Sequence, residues 1–162
     1  MTDGRADHAA ERIVAAGTSR GLTVATAESL TAGWIAGAIA DVAGASAVLR
    51  GGVVSYHNQV KHEVLGVDAE LLRECGSVDP EVARQMAEGA RHTCTADIAV
   101  SSTGVAGPEP HDGQAVGTVY VGFATDEGSG ARELHLSGGR QEIRAAARDA
   151  ALELLAGLLE KK

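Results

Sequence analysis

Apolar residues at helical spacing alternate with short β-branched runs from one end of this chain to the other, and few folds accept such a pattern. Residues 8–19 carry Ala9, Ile13 and Ala16 on one helical face, and Gly21 stops that helix. Leu22 to Ala27 is a β-type run. Residues 30–41 repeat the helical spacing through Trp34, Ala38 and Asp41, and Gly44 breaks it. Leu49 to Tyr56 reads as a second strand. Asn58 is placed to cap a short helix with Val60, Val64 and Leu65, and Asp68 to cap another through Arg73. Asp79-Pro80-Glu81 combines a capping carboxylate with proline in the first turn, and Val82, Met86 and Ala90 give that helix one face. Asp97 to Thr103 is a strand that runs into Gly104-Val105-Ala106-Gly107-Pro108. Val116 to Ala124 and Arg132 to Leu136 form an antiparallel pair around Asp126-Glu127-Gly128-Ser129-Gly130. A last helix over about 140–159 carries Ile143, Ala147, Ala150, Leu154 and Leu158 on one stripe. With no repeat or linker, the pattern predicts one α/β domain over residues 1–162. Its architecture would be a three-layer α/β/α sandwich with a mixed sheet.

Composition narrows the function classes. The chain is 44% hydrophobic but only 2% aromatic, so its core must be built from Ala, Val, Leu and Ile. The net charge of −8, with no basic run or basic–aromatic interleaving, argues against a nucleic-acid partner. Cys75 and Cys94 are isolated and read as reduced thiols in a cytoplasmic protein. The polar start is no signal peptide, and no apolar run is long enough for a membrane span. The histidines show no metal-ligand spacing, and neither metal nor cofactor is expected.

Three loops that follow strands hold residues suited to chemistry. In Glu28-Ser29-Leu30-Thr31-Ala32-Gly33, Ser29 stands where a helix is expected to begin. It serves either as an N-cap or as a nucleophile beside free helix amides that hold an oxyanion. Glu28 is either a surface charge or an orienting group, and Ala32-Gly33 would let a ligand approach closely. In the segment from Ser55 to Lys61, Lys61 is either a solvated helix charge or a desolvated base within reach of Ser29. Tyr56 either half-buries its ring or directs its hydroxyl into the same cleft, and His57 and His62 are alternative bases. In Ser101 to Pro108, hydroxyls followed by a glycine-rich turn suit either ribose or anion contact or a tight structural turn. The spacing matches neither a P-loop nor GxGxxG. Arg140 and Arg144, four apart at a helix start, are each either a phosphate clamp or an exposed charge.

Taken in order, these segments resemble the CinA C-terminal domain family, which includes stand-alone nicotinamide-nucleotide amidases. The matching stretches are Ala27-Glu28-Ser29 with Thr31 and Gly33, Gly44 to Val48, and Val54-Ser55-Tyr56 through Asn58 and Lys61. Leu65-Gly66-Val67, Thr103 to Pro108 and Val116-Gly117-Thr118-Val119 complete the set, so the resemblance runs from about residue 8 to 158. It implies hydrolysis of the carboxamide of nicotinamide mononucleotide to nicotinate mononucleotide and ammonia, in pyridine-nucleotide recycling. The implied catalytic residues are Ser29 as nucleophile, Lys61 as base and Tyr56 as its partner or proton relay. The implied substrate contacts are Glu28, Thr31, Gly33, Asn58, Thr103, Gly104 and either Arg140 or Arg144. A homodimer with a pyridine-nucleotide substrate, and with no membrane or nucleic-acid partner, is the expected assembly. Leu30, Ala32, Ala45-Ser46 and the short loop from Glu109 to Gln114 depart from the family pattern. They motivate an alternative, a non-catalytic nucleotide-binding or stress-associated module that keeps the fold. A third reading is a hydrolase of a different amide.

Overall fold

A computed structural model describes residues 4–161. Residues 1–3 and 162, which belong to the expected 1–162 domain, lie outside the described residues. Five strands form one mixed sheet: β1 Val24–Glu28, β2 Leu49–Val54, β3 Ile98–Gly104, β4 Thr118–Ala124 and β5 Ser129–His135, in the order β2-β1-β3-β4-β5. The first three strands of that order are parallel, and β4 pairs antiparallel with both β3 and β5. Six α-helices are described: α1 Gly4–Arg20, α2 Trp34–Ala40, α3 Asn58–Glu63, α4 Ala69–Cys75, α5 Pro80–Thr93 and α6 Arg140–Lys161.

The pleat of the strands sorts the core into two layers, because successive side chains point to opposite faces. Val24, Ile98 and Val100 pack against α1, α2 and α6, together with Ile13, Ile35, Ile143 and Leu155. Ala25, Ala27 and Ala99 face the other way, onto Leu65, Leu72, Val82 and Met86 of the α3–α5 layer. The expected α/β/α sandwich with a mixed sheet is therefore present. Small residues on β1 and β3 let the helices approach closely, which is how a core this poor in aromatics is filled.

Several element ends differ from the sequence reading, each for a local reason. Helix α1 begins at Gly4 and ends before Gly21, which adopts φ 66°. Helix α2 begins only at Trp34 and buries Ile35 and Ile39 rather than the Trp34–Ala38 face. Ser29 is not its cap; the buried carboxylate of Glu28 accepts from the N–H groups of Ile35 and Ala36 at 2.8 and 3.1 Å. Asn58 does not cap α3 either: His57 does, its Nδ1 accepting from the Gln59 N–H. Asp68 and Asp79 cap α4 and α5 as their positions predict. On α6 the buried stripe runs through Ile143, Ala147, Ala151, Leu155 and Leu159, and Ala150 and Leu158 lie at its edge. That helix packs on the sheet and on α1 at once, so its buried arc is wide. Arg12 of α1 reaches Glu153 and Glu160 of α6 at 2.9 and 2.8 Å. Among the described residues no helix is long and apolar enough to cross a membrane.

Candidate active site

The chain leaves β1 through α2 to reach β2 on one side, then crosses back through α3–α5 to reach β3 on the other. The carboxyl ends of β1 and β3 thus form a topological switch point, where open α/β sheets bind ligands. A cleft of about 640 Å³ opens there. Ser29, Leu30, Tyr56, His57, Asn58 and Arg140 line it, with Ser77 and the segment from Gly104 to His111. That volume is ordinary for a small-molecule site.

Backbone bonds align the strand ends. The Ser29 N–H donates to Ser102 O, and the Ser55 N–H donates to Glu28 O, both at 2.9 Å. Because Glu28 pairs with Val54, Ser29 and Ser55 are the next residues along and lie on the α3–α5 face. Lys61, on the short helix that follows β2, extends along this face. Its Nζ lies 3.1 Å from Ser29 Oγ, 2.7 Å from Ser55 O and 3.4 Å from Tyr56 O. Lys61 is 1% exposed. Burial pushes its ammonium down from the usual 10.5 to about 8, and the Asp112 charge opposes that shift. Among the described residues it makes no ion pair with a carboxylate.

The same alternation carries other sequence-predicted residues away from the cleft. Glu28 points to the α2 side, where it caps the helix and accepts from Thr26 Oγ1. The Thr31 and Ser102 hydroxyls pair at 2.6 Å in the core. Gly33 makes the backbone turn into α2 at φ 95°. Thr103 donates its hydroxyl to Ser77 O at 2.6 Å and is buried. Glu28, Thr31, Gly33 and Thr103 therefore support the cleft walls without lining them. Gly104 and Asn58 do line the cleft.

The two arginines separate. The Arg144 guanidinium stacks 3.7 Å from the Trp34 ring centroid and donates to Leu30 O at 2.7 Å, so it braces the turn after Ser29. Arg140 borders the cleft; it donates to Gly107 O at 2.6 Å and to Tyr56 Oη at 3.0 Å. The Tyr56 ring is largely exposed, and its hydroxyl meets Arg140 rather than Lys61. What Tyr56 offers Lys61 is its backbone carbonyl.

His57 and His62, the two alternative bases, are engaged in other hydrogen bonds. Accepting at Nδ1 leaves the neutral His57 ring protonated at Nε2, a donor rather than a base. His62 must donate from Nδ1 to Val67 O at 2.7 Å and does not line the cleft. Sequence reasoning missed Ser55, Ser77 and Asp112. Ser55 followed a readable strand, but nothing marked its carbonyl as an acceptor for Lys61. Its own hydroxyl is buried without a partner. Ser55→Ala should accordingly leave the thermal midpoint unchanged or slightly raised, since it removes an unsatisfied hydroxyl rather than a bond, an effect of about 1 kcal/mol at most.

A profile of the CinA C-terminal domain matches residues 6–159. The chain belongs to that family. It is 44% identical over 140 residues to a CinA-like protein of Frankia casuarinae, covering 86% of this chain and 32% of the relative. It is 49% identical over 126 residues to a putative competence-damage inducible protein of Caldanaerobacter subterraneus, covering 77% of this chain and 31% of the relative. The chain thus spans about a third of the length of these curated relatives. Among solved structures, the competence/damage inducible protein CihA of Agrobacterium tumefaciens superposes with a TM-score of 0.93 at 40% identity, over 98% of both chains. A CinA superfamily protein of Klebsiella pneumoniae gives 0.91 at 30% identity, over 97% and 99%. This CinA domain therefore shares its fold with those proteins along nearly its whole length.

Proposed function

We propose that this CinA domain hydrolyses the carboxamide of nicotinamide mononucleotide through a Ser29–Lys61 pair, giving nicotinate mononucleotide and ammonia. The observation that carries the reading is the 3.1 Å contact between Lys61 Nζ and Ser29 Oγ in a buried position where, among the described residues, Lys61 makes no ion pair. A neutral lysine amine has two N–H donors and one lone pair. The carbonyls of Ser55 and Tyr56 take the two donors, which turns the lone pair toward the Ser29 hydroxyl.

Ser29 Oγ attacks the carboxamide carbon as its proton passes to Lys61 Nζ. Lys61 returns that proton to the departing nitrogen, so ammonia leaves and an ester on Ser29 remains. Water, giving a proton to Lys61, attacks the ester, and Lys61 passes that proton to the departing Ser29 Oγ, so nicotinate mononucleotide, free Ser29 and the neutral amine are released. The Leu30 N–H, next to the nucleophile and without a protein acceptor among the described residues, is the candidate oxyanion donor. Arg140 meets the phosphate, since its only partners among the described residues are a neutral carbonyl and a phenol. Arg144 does not, because its guanidinium is already engaged by Trp34 and Leu30.

Ammonia release from nicotinamide mononucleotide, with chromatographic detection of the acid, is the direct test. Turnover only on other pyridine amides would move the substrate assignment. Binding by calorimetry with no turnover would overturn the hydrolase and leave a nucleotide-binding module. Arg140→Met should raise KM roughly 10- to 100-fold with kcat little changed, as for a lost charge-assisted hydrogen bond made equally in ground and transition states. Because the neutral amine is the base, kcat/KM should climb with pH through a midpoint near the Lys61 value of about 8.

A further inference from the structure

The segment from Pro108 to Gln114, of which Pro108 to His111 line the cleft, is tied to the α4–α5 connection by Asp112. The Asp112 carboxylate accepts from the Ser77 N–H at 2.8 Å and from the Ser77 hydroxyl at 3.1 Å. Gly76, just before Ser77, leaves the space that the carboxylate occupies; a Cβ there would stand 2.5 Å from Asp112 Cγ. The Ser77 carbonyl in turn accepts from the buried Thr103 hydroxyl at the end of β3. A continuous chain of bonds thus runs from the sheet through Thr103 and Ser77 to Asp112. It brings one negative charge to the α3–α5 side of the cleft, the side on which Lys61 lies.

We propose that Asp112 is a positioning residue for the Ser29–Lys61 pair: it latches the 108–114 loop to Ser77 and sets the protonation of Lys61 from the same side of the cleft. This inference rests on the Ser29–Lys61 reading above. The latch explains why so short a loop forms a fixed wall. The charge answers a second need, because desolvation alone makes Lys61 lose basicity toward the Ser29 proton. Asp112 is the carboxylate whose field opposes that loss.

The other charged groups here do not duplicate it. His111 sits 3.3 Å from Asp112 on the same loop, with its side chain 65% exposed. Glu109, His57 and Arg140 line the cleft, and Arg140 is held by Gly107 and Tyr56. Glu28 lies on the opposite face of the sheet, engaged with α2. Asp112→Asn keeps the shape and one acceptor for Ser77 and removes the charge. Asp112→Ala removes both.

The test measures labelling of Ser29 by a fluorophosphonate against pH, read by mass spectrometry, so it does not depend on the true substrate. In the native protein the labelling rate should rise with pH as Lys61 loses its proton. Asp112→Asn should move that midpoint to lower pH by roughly 0.5–1 unit, because removing a negative charge favours the neutral amine. At a pH below the native midpoint this reads as a rate about 3- to 10-fold higher. His111→Gln should leave the midpoint within about 0.2 unit of native, given its exposure. Asp112→Ala should share the shift and also raise KM in the ammonia assay, whereas Asp112→Asn should largely preserve KM. Normal labelling with coincident native and Asp112→Asn profiles, in proteins of equal thermal midpoint, overturns the inference alone. Absence of Ser29 labelling in the native protein overturns the Ser29–Lys61 reading and this inference with it.

Discussion

Replacing Lys61 with methionine is expected to lower kcat for ammonia release by roughly 100- to 10,000-fold, the usual worth of a positioned general base. The same substitution should stabilise the fold. Lys61 is held near 8 in the native state against 10.5 for the free side chain. Between those values the unfolded chain keeps a proton that the folded chain has released, so native stability rises with pH across that window. Below about pH 8 both states are protonated, and the folded state carries the full cost of a buried ammonium. Methionine has nearly the same length and no charge, so at neutral pH it should recover on the order of 1–3 kcal/mol. For a chain of this size that is about 2–4 °C in melting temperature per kcal/mol. Parallel melts and rate assays at pH 7 and pH 10 would check the pair of effects: the activity loss should persist at both, and the stability gain should shrink at pH 10. A Lys61→Met protein with native turnover would remove lysine from the mechanism.

Ser29→Ala should be more damaging to catalysis and almost silent in stability. Losing the nucleophile of a unit that acts together typically costs about 10⁴-fold or more in kcat. The hydroxyl has one side-chain contact in the structure, with Lys61 Nζ. Its loss leaves that nitrogen with the Ser55 and Tyr56 carbonyls as acceptors, so the melting temperature should change by no more than about 1–2 °C. Intact-mass analysis during turnover supplies an independent reading, because the native protein should carry an ester on Ser29 that the variant cannot form. Full activity in a folded Ser29→Ala protein would end the nucleophile assignment and return Ser29 to a residue of the turn.

Much of the fold was legible because local chemistry and tertiary need agree. Asp68 and Asp79-Pro80 are capping signals whose mechanism lies within three residues, and both helices begin where those signals stand. The strands read as Leu22–Ala27, Leu49–Tyr56 and Asp97–Thr103 end within two residues of those readings, at Glu28, Val54 and Gly104. Local readings and the structure part where a distant group takes a bond. Ser29 had the look of an N-cap, but Glu28, buried against α2, reaches the free amides first. Thr103 had the look of a ribose contact, but the Ser77 carbonyl, brought over by the α4–α5 connection, takes its hydroxyl.

The sequence by itself determined the α/β alternation, the three strand-end loops with Ser29 and Lys61 among their residues, and two arginines at the start of the last helix. Only the tertiary structure decided which of these meet. The order β2-β1-β3 sets the strand before Lys61 directly beside the strand before Ser29, across 32 residues of chain. The pleat then sends Ser29 to the α3–α5 face with Lys61 and Glu28 to the α2 face. Spacing along α6 made Arg140 and Arg144 equivalent, whereas packing separated them by one turn: Arg144 over Trp34, Arg140 at the cleft. Strand order and facing are products of long-range pairing and burial, which no local pattern around Ser29 encodes.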